Sequence, residues 1–204
     1  MTEGNNSDSI DVLDGLVAVR KRPEMYVGAL DDPHLPSQLM REALCHALDE
    51  AVDGKCSHAA VSVRDRTATV TYDAGMPLVL DAHGHTLAWR MLAVLAACSS
   101  LKKHVAIGDA HCRAGLAVLN ALSSRFHAAV VSCGQSCVFE FEQGRPSSEF
   151  KVVPCRDADS TELAFTLDSE ILGSNVHFSF ESVRNVFEQV ARDFPQLQID
   201  LEPW

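Results

Sequence analysis

The order of helices and strands along the chain is the feature that most constrains its fold. Apolar residues at helical spacing and short alternating runs locate these elements. The helices are predicted at 12–22, 38–53, 86–97, 114–122 and 182–193, and the strands at 59–63, 67–72, 127–132, 137–142, 151–154, 162–167 and 197–201. Helices that come early and strands that cluster late predict an α+β fold. We expect a two-layer sandwich in which a mixed β-sheet carries helices on one face.

Composition and charge narrow the class of protein. A chain of 204 residues with 47% hydrophobic content suits one domain, expected at 11–204 after a flexible polar arm at 1–10. Seven cysteines without paired CxxC spacing predict reduced thiols in a cytoplasmic protein. No apolar run is long enough to span a membrane. The formal net charge of −11 argues against direct contact with nucleic-acid phosphates.

Residues 13–28 read LDGLVAVRKRPEMYVG, which is a helix pattern followed by a basic cluster and Pro23. Proline disfavours helix in the residue before it, so the helix is predicted to end at Arg22. The string closely resembles the opening of the ATPase domain of DNA gyrase B and its topoisomerase IV counterpart. The resemblance extends from about 13 to 201. It implies the fold of the GHKL ATPase superfamily, in which a nucleotide is held between the helices and a lid.

The helix at 38–53, with Ser37 as its predicted N-cap, carries an acidic stripe on one side. Periodicity alone favours a solvated face over a catalytic or metal-binding one. The resembled family has the frame E-x-x-x-N-x-x-D-E-A here, which implies that Glu42 is a vestigial general base and that Glu50 and His46 line the nucleotide site. His46 replaces the asparagine that holds magnesium. Because neutral imidazole is a poor ligand for this hard cation, the substitution argues against Mg²⁺-dependent hydrolysis.

The sequence DAGMP at 73–77 resembles a shortened form of the family motif D-x-G-x-G-I-P, whose aspartate accepts the adenine amino group. The resemblance implies that Asp73 and Gly75 contact adenine and that Thr161 supports them through water. On its own, an aspartate and a glycine after a strand are typical of a turn. Val138 stands where the family has an arginine, although the following residues up to Pro146 match well.

The stretch 109–123 resembles the glycine-rich phosphate loop of the family and the helix that follows it. There, backbone N–H groups and the helix N-terminus approach the phosphates. Gly115 survives, but Asp109, Ala110 and Arg113 replace other glycines, so the sequence predicts weak triphosphate binding. Four cationic side chains lie in or near this stretch: Lys102, Lys103, His104 and Arg113. They could bind an anion, but the sequence favours exposed positions on the lid. Scattered histidines at 83, 85, 104 and 111 predict no metal site.

The resemblance identifies a divergent, free-standing copy of the gyrase B-type ATPase domain, which we expect to perform no strand passage by itself. Two functions remain open. One is a pseudoenzyme that acts as a binding or regulatory module, with weak or no ATP binding, and that holds an adenine nucleotide or another small ligand in the adenine pocket. The other is a slow ATPase that a partner topoisomerase subunit completes. His46, Val138 and the altered lid favour the first.

Overall fold

A computed structural model describes residues 15–95, 103–104 and 111–202. The arm at 1–10 and the lid residues Asp109 and Ala110 lie outside the described residues. The helices are α1 Gly15–Lys21, α2 Glu24–Val27, α3 Leu35–Val52, α4 Leu87–Ala93, α5 Leu116–Ala121, α6 Ser169–Leu172 and α7 Phe180–Asp193. The strands are β1 His58–Arg64, β2 Thr67–Tyr72, β3 Ser123–Ser132, β4 Gln135–Glu142, β5 Arg145–Pro146, β6 Val153–Pro154, β7 Ser160–Leu167 and β8 Gln198–Glu202.

The strands form one mixed sheet in the order β5-β4-β3-β7-β2-β1-β8, with β6 paired to β4. Strands β1 and β8 run parallel, and the other pairs are antiparallel. Hairpins can join the antiparallel neighbours, whereas the parallel β1–β8 pair needs a long crossover, which brings α7 back over the sheet. The predicted α+β class with a mixed sheet is confirmed.

The core lies between the sheet and one layer of helices. Side chains of β2 alternate, so that Ala68, Val70 and Tyr72 are buried and the threonines between them are only half-buried. This is the pattern of a strand with one covered face. Helix α3 is buried along almost its whole length and packs against β2, α5 and α7. The two-layer sandwich predicted from the sequence is therefore confirmed. Within the described ranges, no helix is both long enough and apolar enough to cross a bilayer.

Helix α3 begins earlier than the sequence predicts. Its N-cap is His34, and Pro36 lies in the first turn, where a missing N–H costs nothing. The predicted N-cap, Ser37, is therefore already helical, and its hydroxyl donates to the Ser182 carbonyl at 3.3 Å. The cap assignment was wrong because the proline-rich loop before α3 starts the helix instead of preceding it.

Arg20, in the basic cluster at the end of α1, connects α1 to helix α5. Arg20 donates through Nη1 to the carbonyl oxygen of Ala121 at 2.8 Å and through Nη2 to Asp168 Oδ2 at 2.7 Å. Asp168 is buried, and it also accepts from the backbone of Glu170 to cap α6. This partly buried ion pair fixes the end of α5 and so helps to position the loop that precedes it.

Candidate functional site

Glu42 lies on the buried side of α3, where its residue surface is 1% exposed. One carboxylate oxygen accepts the backbone N–H groups of Arg113 at 2.9 Å and Ala114 at 3.1 Å, and the other accepts that of Gly115 at 2.6 Å. Gly115 has a φ of 84°, which a side chain would disfavour. The carboxylate thus satisfies the free amides before α5 and supplies negative charge there.

The C-terminal half of α3 is paired with the short segment formed by Lys103 and His104. Asp49 accepts both of their backbone N–H groups, at 3.0 and 3.1 Å. The Lys103 ammonium lies 2.5 Å from Glu50 and 3.3 Å from Asp53, and the His104 ring lies 2.8 Å from Asp53. Partial burial opposes ionisation of Lys103, but the Glu50 carboxylate outweighs it and raises the pKa of the ammonium. The acidic stripe is therefore largely buried and neutralised within the chain.

His46 is a neutral, buried imidazole on the same helix. Burial lowers its pKa from 6.5 to about 4, although Glu50 and Asp49 oppose the shift. Its Nε2 lies 3.6 Å from Glu50 Oε1, and its Nδ1 has no hydrogen-bond partner in the described part of the chain. Among the described residues, no cluster of three or more histidine, cysteine or acidic side chains is arranged to hold a metal ion.

Tyr72 is the residue of this region that sequence reasoning missed. It is 3% exposed on the helix-facing side of β2, with its ring centroid 5.7 Å from that of His46. It pairs across the sheet with Thr161, whose hydroxyl donates to the Ala74 carbonyl at 2.8 Å. Burial raises the pKa of the phenol well above its ordinary value. The alternation of buried and half-buried residues in TATVTY is the sequence signal that points to this ring lying in the core.

Asp73 is exposed at the end of β2. Its carboxylate accepts from the Ser57 backbone at 2.8 Å, the Ser57 hydroxyl at 2.5 Å and the His58 backbone at 3.0 Å. Partial burial alone would raise its pKa, but these hydrogen bonds lower the pKa to about 2. The carboxylate is thus ionised and braces the start of β1. A contact between Asp73 and adenine stays a prediction.

Gly75 is packed against the end of β3. A Cβ atom there would lie 2.7 Å from the Cβ of Ser132 and would also collide with the Val131 carbonyl oxygen. The glycine at this position is therefore required by the close approach of two backbone segments. This requirement holds whether or not a ligand is bound.

Within the described residues, the predicted site residues are divided between two cavities. Asp73 and Thr161 line a cavity of about 620 Å³ together with Val138. Glu42 and Arg113 border a different cavity of about 520 Å³. The structure brings Glu42 close to Gly115 and His46 close to Glu50, and these contacts lie within the chain.

Comparison with known proteins gives a consistent family. The DNA gyrase B protein of Synechocystis sp. is 28% identical over 196 residues, which cover 93% of this chain and 18% of the relative. The DNA gyrase B protein of Borrelia hermsii is 29% identical over 201 residues, covering 96% and 31%. That of Campylobacter jejuni is 30% identical over 207 residues, covering 99% and 26%.

No family model matches the chain. The chain spans between 18% and 31% of the length of these three relatives, so only part of each is represented. Because they cover at least 93% of this chain, the matches include helix α3, helix α5 and the sheet. Together with the mixed sheet and the helices packed on it, they support an ATPase-like domain similar to part of DNA gyrase B.

Proposed function

We propose that the chain is a degenerate gyrase B-type domain that acts as a binding or regulatory module, with weak or no ATP binding and no hydrolysis by itself. The observation that carries the proposal is the Glu42 carboxylate on three backbone amides, those of 113–115. The resemblance assigns this loop to phosphate contact and Glu42 to water activation. In this structure the Glu42 carboxylate and the loop amides are hydrogen-bonded to each other.

Binding a triphosphate on this loop would require the carboxylate to leave. Each hydrogen bond to a charged group contributes about 1.5–3 kcal/mol, so the displacement is costly. A phosphate next to a carboxylate that stayed would meet like charge in a partly dry site. Both outcomes weaken ATP binding, and a Glu42 carboxylate that stays on the loop amides is not free to activate a water.

Magnesium and its nucleotide do not fit the residues that are present. His46 is neutral and prefers softer metals than Mg²⁺. The Glu50 carboxylate is already bound by Lys103, and both Asp49 oxygens accept backbone N–H groups. The residues present therefore do not support hydrolysis of a Mg²⁺-bound triphosphate.

The test is calorimetric titration with ATP, ADP and adenosine, with and without Mg²⁺, together with a phosphate-release assay. We expect ATP and adenosine to bind within about tenfold of each other, a difference of no more than 1.4 kcal/mol. We expect no phosphate release above that of a blank. Micromolar, Mg²⁺-dependent ATP binding with turnover that Glu42→Ala abolishes would overturn the proposal.

A partner arm of the same assay addresses the alternative function. A topoisomerase subunit that completed the site would start phosphate release when it was added to the wild type, and Glu42→Ala would prevent this. Glu188→Ala is the matched control, because Glu188 is an exposed side chain on α7 with only a surface ion pair to Arg184. Release that starts in the wild type and in the control, but not in Glu42→Ala, would establish the slow ATPase instead.

A further inference from the structure

We propose that a further cavity, also of about 520 Å³, between α4 and the segment 146–152 is a binding site for a free aromatic amino acid. This aromatic pocket is lined by Leu80, His85, Trp89, Glu149, Phe150 and Lys151, among others. None of its lining residues is one that the resemblance assigns to the nucleotide site, so the inference goes beyond the proposed function. Small-molecule sites have this size and combine an apolar wall with a few polar groups.

Trp89 supplies the aromatic wall of the pocket. It is half-buried on α4, and its ring lies nearly parallel to that of Phe150, with the two centroids 5.3 Å apart. The exposed His85 ring stacks on Trp89 at 5.8 Å. Aromatic rings favour offset, nearly parallel arrangements with centroids about 4.5–7 Å apart. A ligand ring that joins this stack would also cover part of Leu80, which is 53% exposed, and would remove apolar surface from water.

The segment that carries Phe150 leaves the edge of the sheet between β5 and β6. Pro146 of β5 lies opposite Phe141 of β4, and Val153 of β6 lies opposite Ser136. The outer segment therefore advances by seven residues while β4 advances by five. The additional length lets Phe150 pack against the core. This loop forms one side of the pocket, and the sheet holds it at both ends.

One negative and one positive side chain line the pocket beside its aromatic wall. Glu149 and Lys151 are both exposed, and neither forms an ion pair among the described residues. A free α-amino acid carries an ammonium and a carboxylate on the same carbon atom, so one ligand can meet both charges. A ligand with a single charge would leave one of the two side chains without a partner. An aromatic zwitterion therefore complements both the charges and the rings of the pocket.

The exposure of the two charged side chains determines how much each contributes. Ion pairs in contact with water are weak, so each charge is expected to change the affinity by about two- to fivefold. The indole ring of a ligand such as tryptophan contributes more, because it buries a large apolar area against other rings. We therefore expect the ring to supply most of the affinity and the charges to supply the selectivity.

The experiment is isothermal calorimetry on the wild-type chain with a matched set of probes. L-Tryptophan has the ring and both charges, tryptamine has only the ammonium, 3-indolepropionate has only the carboxylate, and L-alanine has both charges without the ring. L-Tryptophan is expected to bind at least about tenfold more tightly than L-alanine. It should also bind at least about twofold more tightly than either indole with one charge.

Two charge variants test the two ends of the ligand separately. Glu149→Gln should weaken the binding of L-tryptophan and tryptamine by about two- to fivefold, but not that of 3-indolepropionate. Lys151→Gln should weaken L-tryptophan and 3-indolepropionate by a similar factor, but not tryptamine. Glu188→Gln and Lys55→Gln are the matched controls, because each removes an exposed charge that does not line the pocket. They should leave the binding of every probe unchanged.

Both charge variants replace exposed side chains, so they are expected to fold. The inference would be overturned if L-tryptophan gave no binding, or bound no better than L-alanine or than either singly charged indole. An equal loss for all three indoles in a folded charge variant would also overturn it. N-acetyltryptophanamide binding as tightly as L-tryptophan would refute recognition of the zwitterion and indicate a peptide side chain instead.

This outcome is separable from that of the proposed function. A pocket that binds no amino acid leaves the expected weak ATP binding and the absence of phosphate release untouched. Mg²⁺-dependent ATP turnover would refute the proposed function alone.

Discussion

Replacing Glu42 is the most direct test of whether its carboxylate holds the loop before α5. The buried carboxylate accepts three backbone N–H groups at 2.6, 2.9 and 3.1 Å. At the lower end of about 1.5–3 kcal/mol for each bond to a charged group, the three contribute about 4–5 kcal/mol. Water that enters from the adjacent cavity replaces part of this. We therefore expect Glu42→Ala to lower the free energy of unfolding by about 3–5 kcal/mol.

A second variant separates the charge from the side-chain volume. Glu42→Gln keeps one acceptor oxygen but turns an NH₂ group toward a backbone donor. It should lower the free energy of unfolding by about 1–3 kcal/mol, less than the alanine variant. We expect stability to decrease from the wild type to Glu42→Gln and then to Glu42→Ala, because hydrogen bonds to the carboxylate hold the loop. Simple loss of packing would make the near-isosteric glutamine variant as stable as wild type.

The assay is urea denaturation followed by circular dichroism, with thermal melts as a check. In a chain of this size, each kcal/mol shifts the midpoint by about 2–4 °C, so Glu42→Ala should melt about 6–20 °C lower. Glu188→Ala is the control, since an exposed ion pair at 3.7 Å contributes about 0–1 kcal/mol. If Glu42→Ala proved as stable as the control, the carboxylate would not be holding the loop. The loop amides would then be free to meet a phosphate, against the proposed closure of the site.

Three further substitutions test the remaining site residues. In the wild type, His46 has a pKa of about 4 when folded against 6.5 ordinarily, so only the unfolded chain binds this proton between those values. Stability should therefore fall by up to about 3 kcal/mol from pH 7 to pH 4, and denaturation at stepped pH should show a shallower fall in His46→Asn. Asp73→Ala should cost about 1 kcal/mol in urea denaturation, because its hydrogen bonds are screened at an exposed position, and titration of the same variant with adenosine tests the predicted base contact. Gly75→Ala should cost more than about 2 kcal/mol through collision with β3, whereas Gly54→Ala, which has φ of 69° and open space, should cost only about 1 kcal/mol of backbone strain.

Local pattern in the sequence was enough to predict the fold. The helix predicted at 38–53 corresponds to α3, Leu35–Val52, and the strand predicted at 67–72 is β2. Both follow from spacings within a few residues, which are properties of the local chain. The start of α3 was missed because Pro36 can open a helix as well as precede one. The short α2, α6 and β5 were also missed, since four or fewer residues carry too little periodicity.

The contacts that occupy the site residues could not be predicted in the same way. Glu42 meets the amide of Arg113 across 71 residues of chain, and Lys103 meets Glu50 across 53. No local pattern encodes such contacts, so the sequence could only place these residues in a family frame. The side of the sheet that Tyr72 faces was within reach, because it depends on alternation alone.

The distribution of paired and unpaired polar groups supports one physical interpretation of the chain. Buried polar groups must be paired or carry a free-energy cost. Where the resemblance expects phosphate and magnesium, the chain pairs its own carboxylates: Glu42 with the loop amides and Glu50 with Lys103. Among the described residues, buried side-chain nitrogens of Arg41, His46 and His111 have no hydrogen-bond partner. An external ligand stabilises a protein most where it binds groups that the chain leaves unpaired, so the loop amides that Glu42 already holds are a poor site for a triphosphate.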